Sequence, residues 1–437
     1  MVSKSPMGVK VIVVGAGFAG LTAAIECHLK GHTVTLLESF PVLKPLGDII
    51  SFAPNAGRII ARWPPAPTPS APTVAQQYAP ICLRNDEFVF RRWDGELLTT
   101  QPVHERKEDA PEFSGHRGVM HQILFEYAES LGVEILLGRR VVEYVEEKDR
   151  AGVRYILRND REDSGTTEPE VMWADVVVGS DGVRSKAREL VLGYVDNPKP
   201  SGYAIYRAWM DAAPLAADPL TAPLVAGSDY HVGWFGPDVH FVFAYIKNTR
   251  SVSWVCTHKD DADIDESWSF PGHIEDVLKV LEGWDKVARR IVQLTDTCVD
   301  WKLVYRDPLE RWVSKGGRIC LLGDSAHPFL PTSIQGASQA MEDGVVLATC
   351  LLFAAQRVNP LPDTVRVYER LRYERVRRAQ LLGESNRDKW HQADFDKAKE
   401  DPEVMKLGRD PWLFAFDCEK DACERYESVM KQISGSS

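Results

Sequence analysis

Val9–Val14 is β-branched and apolar apart from Lys10, the texture of a strand buried on both faces of a parallel sheet. Glycines follow, and Leu21, Ala24, Ile25 and Leu29 then recur at helical spacing up to Gly31, where a C-terminal cap belongs. Thr33–Leu37 is a second apolar strand, and it ends in Glu38. The chain therefore opens on a βαβ unit. The proline-rich run from Pro64 to Pro72 predicts a surface loop. Further on, the pattern predicts a helix over Arg117–Ser130, a strand over Val133–Leu137, and antiparallel strands over Arg139–Glu146 and Val153–Leu157. The polar stretch Asn159–Glu168 reads as a turn, and Asp175–Val178 as another buried strand.

From about Gly202 to Thr257 the texture changes to short aromatic strands, among them Tyr203–Met210, His240–Tyr245 and Ser251–Cys256. Glu275–Leu294 is mostly helical, Arg318–Leu322 returns to a buried strand, and a long helix starts near Gly336 and runs towards Phe353. Pro360 and Pro362 interrupt the pattern before arginine-rich helices. With 437 residues the chain holds two or three domains. The division read here is 1–200 and 296–360 for a discontinuous nucleotide-binding domain, 201–295 for a β-rich domain, and 361–437 for a helical C-terminal region.

A net charge of −11 argues against nucleic acid or an anionic membrane as a partner, though local arginines can still hold a small anion. Eight scattered cysteines without a CxxC pair read as reduced thiols, not as zinc ligands, and no metal is expected. The N-terminal apolar run lacks the layout of a signal peptide, so the cytoplasm is the expected compartment.

Three motifs carry chemistry. Gly15, Gly17 and Gly20 form a GxGxxG turn between strand and helix, with Glu38 at the distance where an acid meets an adenosine ribose. By itself the turn does not separate NAD from FAD. Gly179-Ser180-Asp181-Gly182 places an acidic turn at the end of a strand, where open α/β sheets bind ligands. The competing reading of Asp181 is an Asx-turn. Gly323-Asp324-Ser325-Ala326-His327 follows the strand Cys320–Leu322, and Gln335-Gly336-Ala337 opens a helix whose positive end suits a reduced flavin. His327 reads as structural.

Together these motifs resemble the group A flavoprotein monooxygenases, the family of para-hydroxybenzoate and salicylate hydroxylases, over about Val9–Arg378. The resemblance implies an α/β plus β architecture: a Rossmann-like FAD-binding fold of the glutathione-reductase type, a β-sheet substrate domain and a helical C-terminus. It assigns the first turn and Glu38 to the ADP half of FAD, Asp181 to a turn serving FAD and NAD(P)H, and Asp324 to the ribityl chain. Arg117 matches an arginine that contacts FAD, and Pro54-Asn55 a segment lining the flavin. Tyr206 and Arg207 match a paired position near flavin and substrate, and they are the catalytic candidates. For Arg207 the competing reading is an interdomain salt bridge. Tyr203, His231, Trp234, His240 and Tyr245 are candidate pocket residues. Ile334 departs from the family pattern, which has Gly or Ala there.

The activity implied is insertion of one oxygen atom from O2 into an aromatic small molecule, with FAD as cofactor and NAD(P)H as co-substrate, through a flavin C4a-hydroperoxide. A phenol or indole of specialised metabolism is the favoured substrate. The alternatives are a decarboxylating salicylate-type hydroxylase, an FAD oxidase or dehydrogenase, and a non-enzymatic flavin redox sensor. The residues leave the oligomeric state open.

Overall fold

The computed structural model describes residues 8–43, 47–103, 109–158, 168–260, 270–391, 393–395, 397–406, 408 and 410–435. The turn expected at Asn159–Glu168 falls outside them except for Glu168.

The first apolar run forms the strand Lys10–Val14, the centre of a five-stranded parallel sheet. Across this sheet the order is Ile319–Leu321, Val176–Gly179, Lys10–Val14, Thr33–Leu37 and Glu134–Leu136. Val13 pairs with Leu36 on one side and Val178 on the other. Segments more than a hundred residues apart therefore end side by side at the carboxyl edge. Two helices, Phe18–Leu29 and Gly336–Arg357, pack against each other over this sheet. Their backbones come close because Gly344 has no side chain: a Cβ there would lie 2.7 Å from the Ala23 nitrogen. Gly336–Arg357 is long and apolar enough to cross a membrane, but it is buried inside the protein and is a core helix.

The second layer is an eight-stranded sheet. Its order is Phe270–Gly272, Cys298–Tyr305, Lys199–Asp211, Ser251–Lys259, Val239–Ile246, Tyr230–Gly236, Glu87–Arg92 and Leu97–Pro102. It is wider than the stretch 201–295 assigned to it from sequence, since it takes a hairpin from residues 87–102 and the strand Cys298–Tyr305. The hairpin joins through a parallel pairing of Val89 and Phe90 with Val232 and Gly233. No local pattern announces a pairing across 140 residues of chain. One face of this sheet packs on the helices Ile274–Val280 and Lys286–Gln293 and the other faces the parallel sheet. The C-terminal helices Leu361–His391 and Cys418–Gly435 pack on Gly336–Arg357.

Candidate active site

A cavity of about 1780 Å³ lies between the two sheets. Pockets for one small ligand span ~300–1,000 Å³, so this one has room for two occupants. Gly15, Gly17, Glu38, Arg117, Asp181, Asp324, Gln335, Gly336, Ala337 and Arg207 all line it; Gly20 stands just behind the first turn, and Tyr206 does not reach it.

The glycine turn closes one end. Gly15 sits at φ +97°, and a Cβ on it would strike the Ser180 carbonyl oxygen at 2.5 Å. A Cβ on Gly20 would lie 1.9 Å from the Gly15 oxygen and 2.6 Å from Ser180 Oγ, so this position holds helix against strand. A Cβ on Gly17 would meet open space. The helix Phe18–Leu29 starts there with no side-chain cap and no acid in its first turn. Its first N–H groups and positive end thus favour an anion such as a pyrophosphate. Glu38 accepts from Ala16 N–H (2.8 Å), Phe40 N–H (2.9 Å) and Ser39 Oγ–H (3.0 Å). A carboxylate has about four acceptor positions, so one stays available to a sugar hydroxyl.

The two acidic turns are wired together. Asp181 Oδ1 accepts from Ser325 Oγ at 3.1 Å, and its Oδ2 accepts from Tyr144 at 2.9 Å and from the Lys186 N–H at 3.1 Å. Both readings of Asp181 are therefore present: it holds its own turn and stands at the cavity wall. Arg188, buried behind, donates to the carbonyls of Val183 (2.7 Å), Asp324 (2.8 Å) and Ser325 (3.1 Å). Burial, with Arg306 nearby, brings this guanidinium down to about 10. Burial pushes the Asp324 carboxyl above its ordinary value, against the pull of His327, Arg117 and Arg188.

The helix Gly336–Arg357 also begins without a side-chain cap or an acid in its first turn. The Gln335 side-chain oxygen is spent inward, on Asn55 (3.2 Å) and Gln339 (3.1 Å), so the cavity meets the backbone here. Below lies a buried ionic network. Arg372 donates to Asp343 Oδ1 (2.8 Å) and to Glu342, and Arg375 holds both oxygens of Glu342 at 2.7 and 2.8 Å. His327 Nε2 lies 2.6 Å from Asp343 Oδ2, in the structural role read for it. Burial would raise both acids, but their cationic partners outweigh it and hold Glu342 and Asp343 below the usual range. Arg372 and Arg375 are thus committed to the interior and not to a partner-facing surface.

The other end of the cavity belongs to the eight-stranded sheet, where side chains alternate in direction. Ile205, Arg207 and Trp209 face the cavity. Tyr206 belongs to the opposite face, in the cluster with Trp254 and Cys256, and its ring stacks on His258 at 4.7 Å. This corrects the pairing of Tyr206 with Arg207 as neighbours in one site, since adjacent strand residues cannot share a face. Arg207 Nη1 donates to Asp48 at 3.1 and 3.3 Å, and its guanidinium lies 4.9 Å from the Trp301 ring. It is thus an interdomain salt bridge and a cavity residue at once. Burial brings the pKa of this guanidinium below its ordinary value; Asp48 opposes this and Arg117 adds to it.

Of the other aromatic candidates, His231 and His240 line the cavity, whereas Trp234 and Tyr245 pack on its far face and Tyr203 does not line it. Trp234 donates to Asp285 at 2.8 Å. Sequence reasoning missed Asp48, Arg188, Phe88, Phe90 and Trp390. Trp390 reaches the cavity from the C-terminal helix and packs on Phe235 (4.9 Å) and His240 (5.5 Å). Nothing in the spacing marks these positions, although Gly47-Asp48 lies a few residues before the flavin-lining segment Pro54-Asn55.

The uncapped helix start over open space, the spare acceptor on Glu38, the Asp324 carboxyl and the second uncapped helix fit a long dinucleotide lying along the parallel sheet. The comparisons agree. A family model described as "FAD binding domain" matches residues 117–379, and a second with the same description matches residues 10–44. The asperlicin C monooxygenase of Petromyces alliaceus is 32% identical over 98% of this chain and 90% of its own length. The FAD-dependent monooxygenase nanF of Aspergillus nanangensis is 32% identical over 98% of this chain and 92% of its own. Among solved structures, CtdE in complex with FAD and a substrate superposes with a TM-score of 0.87 at 32% identity, over 98% of this chain and all of that one. FqzB gives 0.84 at 34% identity, over 99% of this chain and 96% of that one. A salicylate hydroxylase shares the fold at 21% identity, with a TM-score of 0.76. The chain belongs to the FAD-dependent monooxygenases of group A type, in the branch that serves fungal secondary metabolism.

Proposed function

We propose that this monooxygenase takes reducing equivalents from NAD(P)H and places one atom of O2 on a fused-ring aromatic or indole-type molecule. The observation that carries the substrate class is a cross-strand row. Arg207 pairs with Val255, Val255 with Val242, Val242 with Gly233, and Gly233 with Phe90. At about 4.8 Å per strand, four steps make ~19 Å from the cationic end to the aromatic end. Val255 and Val242 form a small, apolar floor next to Arg207, Gly233 lies beneath the rings of Phe235 and Phe88, and His231, His240, Phe88 and Trp390 close the far end. The open part of the row, from Arg207 across Val255 to Val242, spans two steps or ~10 Å, and a single phenol ring covers little more than one of them. That favours a polycyclic substrate over salicylate.

When bound, FAD supplies the activation of dioxygen. The protein's share is to bind, orient and keep out water. Gly17, Glu38, Asp181, Asp324 and the backbone of Gly336 and Ala337 would hold the cofactor. Arg207, balanced by Asp48, offers N–H donors to an oxygen or π-system of the substrate. The eight thiols, seven buried and none paired, support the cytosol as the compartment.

The test is a panel of phenols, salicylates, indoles and polycyclic indoles offered to the yellow, FAD-loaded protein. Faster NAD(P)H and O2 consumption with polycyclic indoles, and ¹⁸O from O2 in the product, is the expected result. Unlabelled product would mean an oxidase or dehydrogenase. Release of CO2 from salicylate at a comparable rate would restore the decarboxylating alternative.

A further inference from the structure

Ile334 holds a backbone conformation that its side chain disfavours. Its φ of +52° and ψ of 23° lie in the left-handed region, where a β-branched residue is strained. Val358 is the other aliphatic β-branched residue with positive φ among those described, but it closes the C-terminus of Gly336–Arg357 on open surface, an ordinary place for that conformation. Ile334 likewise closes a helical turn, Pro331–Ser333, but it does so on the wall of the cavity.

Both neighbours of Ile334 are anchored. Ser333 lies under the helix Leu361–His391 at Gly383, where even a Cβ would come within 2.6 Å of the serine's own Cβ. Gln335 is tied to Asn55 and Gln339. Ser333 and Gln335 are 8% and 1% exposed, whereas Ile334 between them is 45% exposed. The turn is clamped on both sides and drives this one apolar side chain into the space between the Gly336 helix start and the substrate track. The Ile334 N–H bonds to the Pro331 carbonyl at 3.0 Å, a closure that glycine would make without strain. Local structure therefore does not account for isoleucine. Strain maintained against an over-determined surround belongs to functional positions.

We infer that Ile334 is a specificity-determining residue, whose side chain forms the apolar wall that seats the reacting ring of the substrate beside the cofactor turn. The inference rests on the function proposed above.

The experiment compares Ile334→Gly, Ile334→Ala and Ile334→Val with wild type. Ile334→Gly should raise the melting temperature of FAD-free protein by ~2 °C through relief of strain. It should also lower kcat/KM for the best polycyclic substrate ~10-fold, as loss of a hydrophobic wall does, and lower the product formed per NAD(P)H consumed. Ile334→Ala, which keeps the strain and loses the wall, should share the kinetic loss without the thermal gain. Ile334→Val should stay near wild type in both. Binding of indole to the FAD-loaded protein, read from the flavin's visible spectrum, should weaken in the glycine and alanine variants. A glycine variant with wild-type coupling, kcat/KM and indole response would overturn the inference, as would a lower melting temperature. If wild type oxygenates nothing in the panel, the functional proposal fails. The melting temperature and the indole response then still decide the role of Ile334.

Discussion

The two sheets that enclose the cavity encode their contribution differently. In the five-stranded parallel sheet, function sits in the backbone: open N–H groups, a left-handed Gly15, and turns that follow strand ends. Those features depend on spacing along one segment, so a local motif specifies them. In the eight-stranded sheet, function sits in the face to which each side chain points. Register and strand partner decide that, and the partners come from residues 87–102, 199–259 and 298–305. A site of the first kind tolerates little change in shape at its glycines. One of the second kind should show sharp differences between adjacent residues.

The largest effect is expected at the first sheet. Gly20→Ala places a carbon 1.9 Å from the Gly15 oxygen, with the Gly15 backbone and the buried Ser180 hydroxyl as its nearest neighbours. Overpacking of this kind costs enough to weaken FAD binding ~100-fold or more, and the purified variant should be colourless. Flavin absorbance per protein and an FAD titration measure it; tight FAD binding by this variant would break the claim that backbone approach defines that side.

Next comes a pH effect in the same half. His32 is buried, and its Nδ1 accepts from the Val9 N–H at 3.1 Å. Burial lowers it from 6.5 to about 4. The folded state thus binds fewer protons than the unfolded chain between these values, and stability rises with pH there. The contribution is complete above pH 6.5 and is lost as pH falls towards 4, on the order of 3 kcal/mol in all. Melting temperatures across this range should show the slope, and His32→Asn should flatten it.

What could be read from sequence follows the same division. The opening βαβ unit, the helix Arg117–Ser130 and the long helix from Gly336 were all legible, because each is set by local period and glycine placement. So were Glu38, Asp181 and Asp324, which stand at fixed offsets from strand ends. Phe88, Phe90 and Trp390 were not, because they reach the cavity only through a parallel pairing and a helix packed from the C-terminal end. Arg188 was hidden for another reason: its role is to bind three carbonyls of turns that are distant in sequence. Tyr206 stands on the face away from the cavity because it is one residue from Arg207 in a strand of period two, a local rule that outweighs the resemblance at this position.

The smallest expected effect is the most discriminating, because it sets two adjacent residues against each other. Arg207→Ala removes a buried donor from the cavity and leaves Asp48 without its partner. A charged hydrogen bond is worth ~1.5–3 kcal/mol, so kcat/KM should fall ~10–100-fold while FAD stays bound. Tyr206→Phe removes only a hydroxyl from a ring that packs on His258 behind the sheet. Its kcat/KM should stay within about 2-fold of wild type, as expected for a change that makes no contact with the cavity. A double-mutant cycle should then show no coupling between the two positions beyond ~0.5 kcal/mol. Strong coupling, or a loss of turnover in Tyr206→Phe equal to that in Arg207→Ala, would mean that the sheet transmits its far face to the site. The face-by-face account of the eight-stranded half would then give way to one in which the whole sheet acts as a unit.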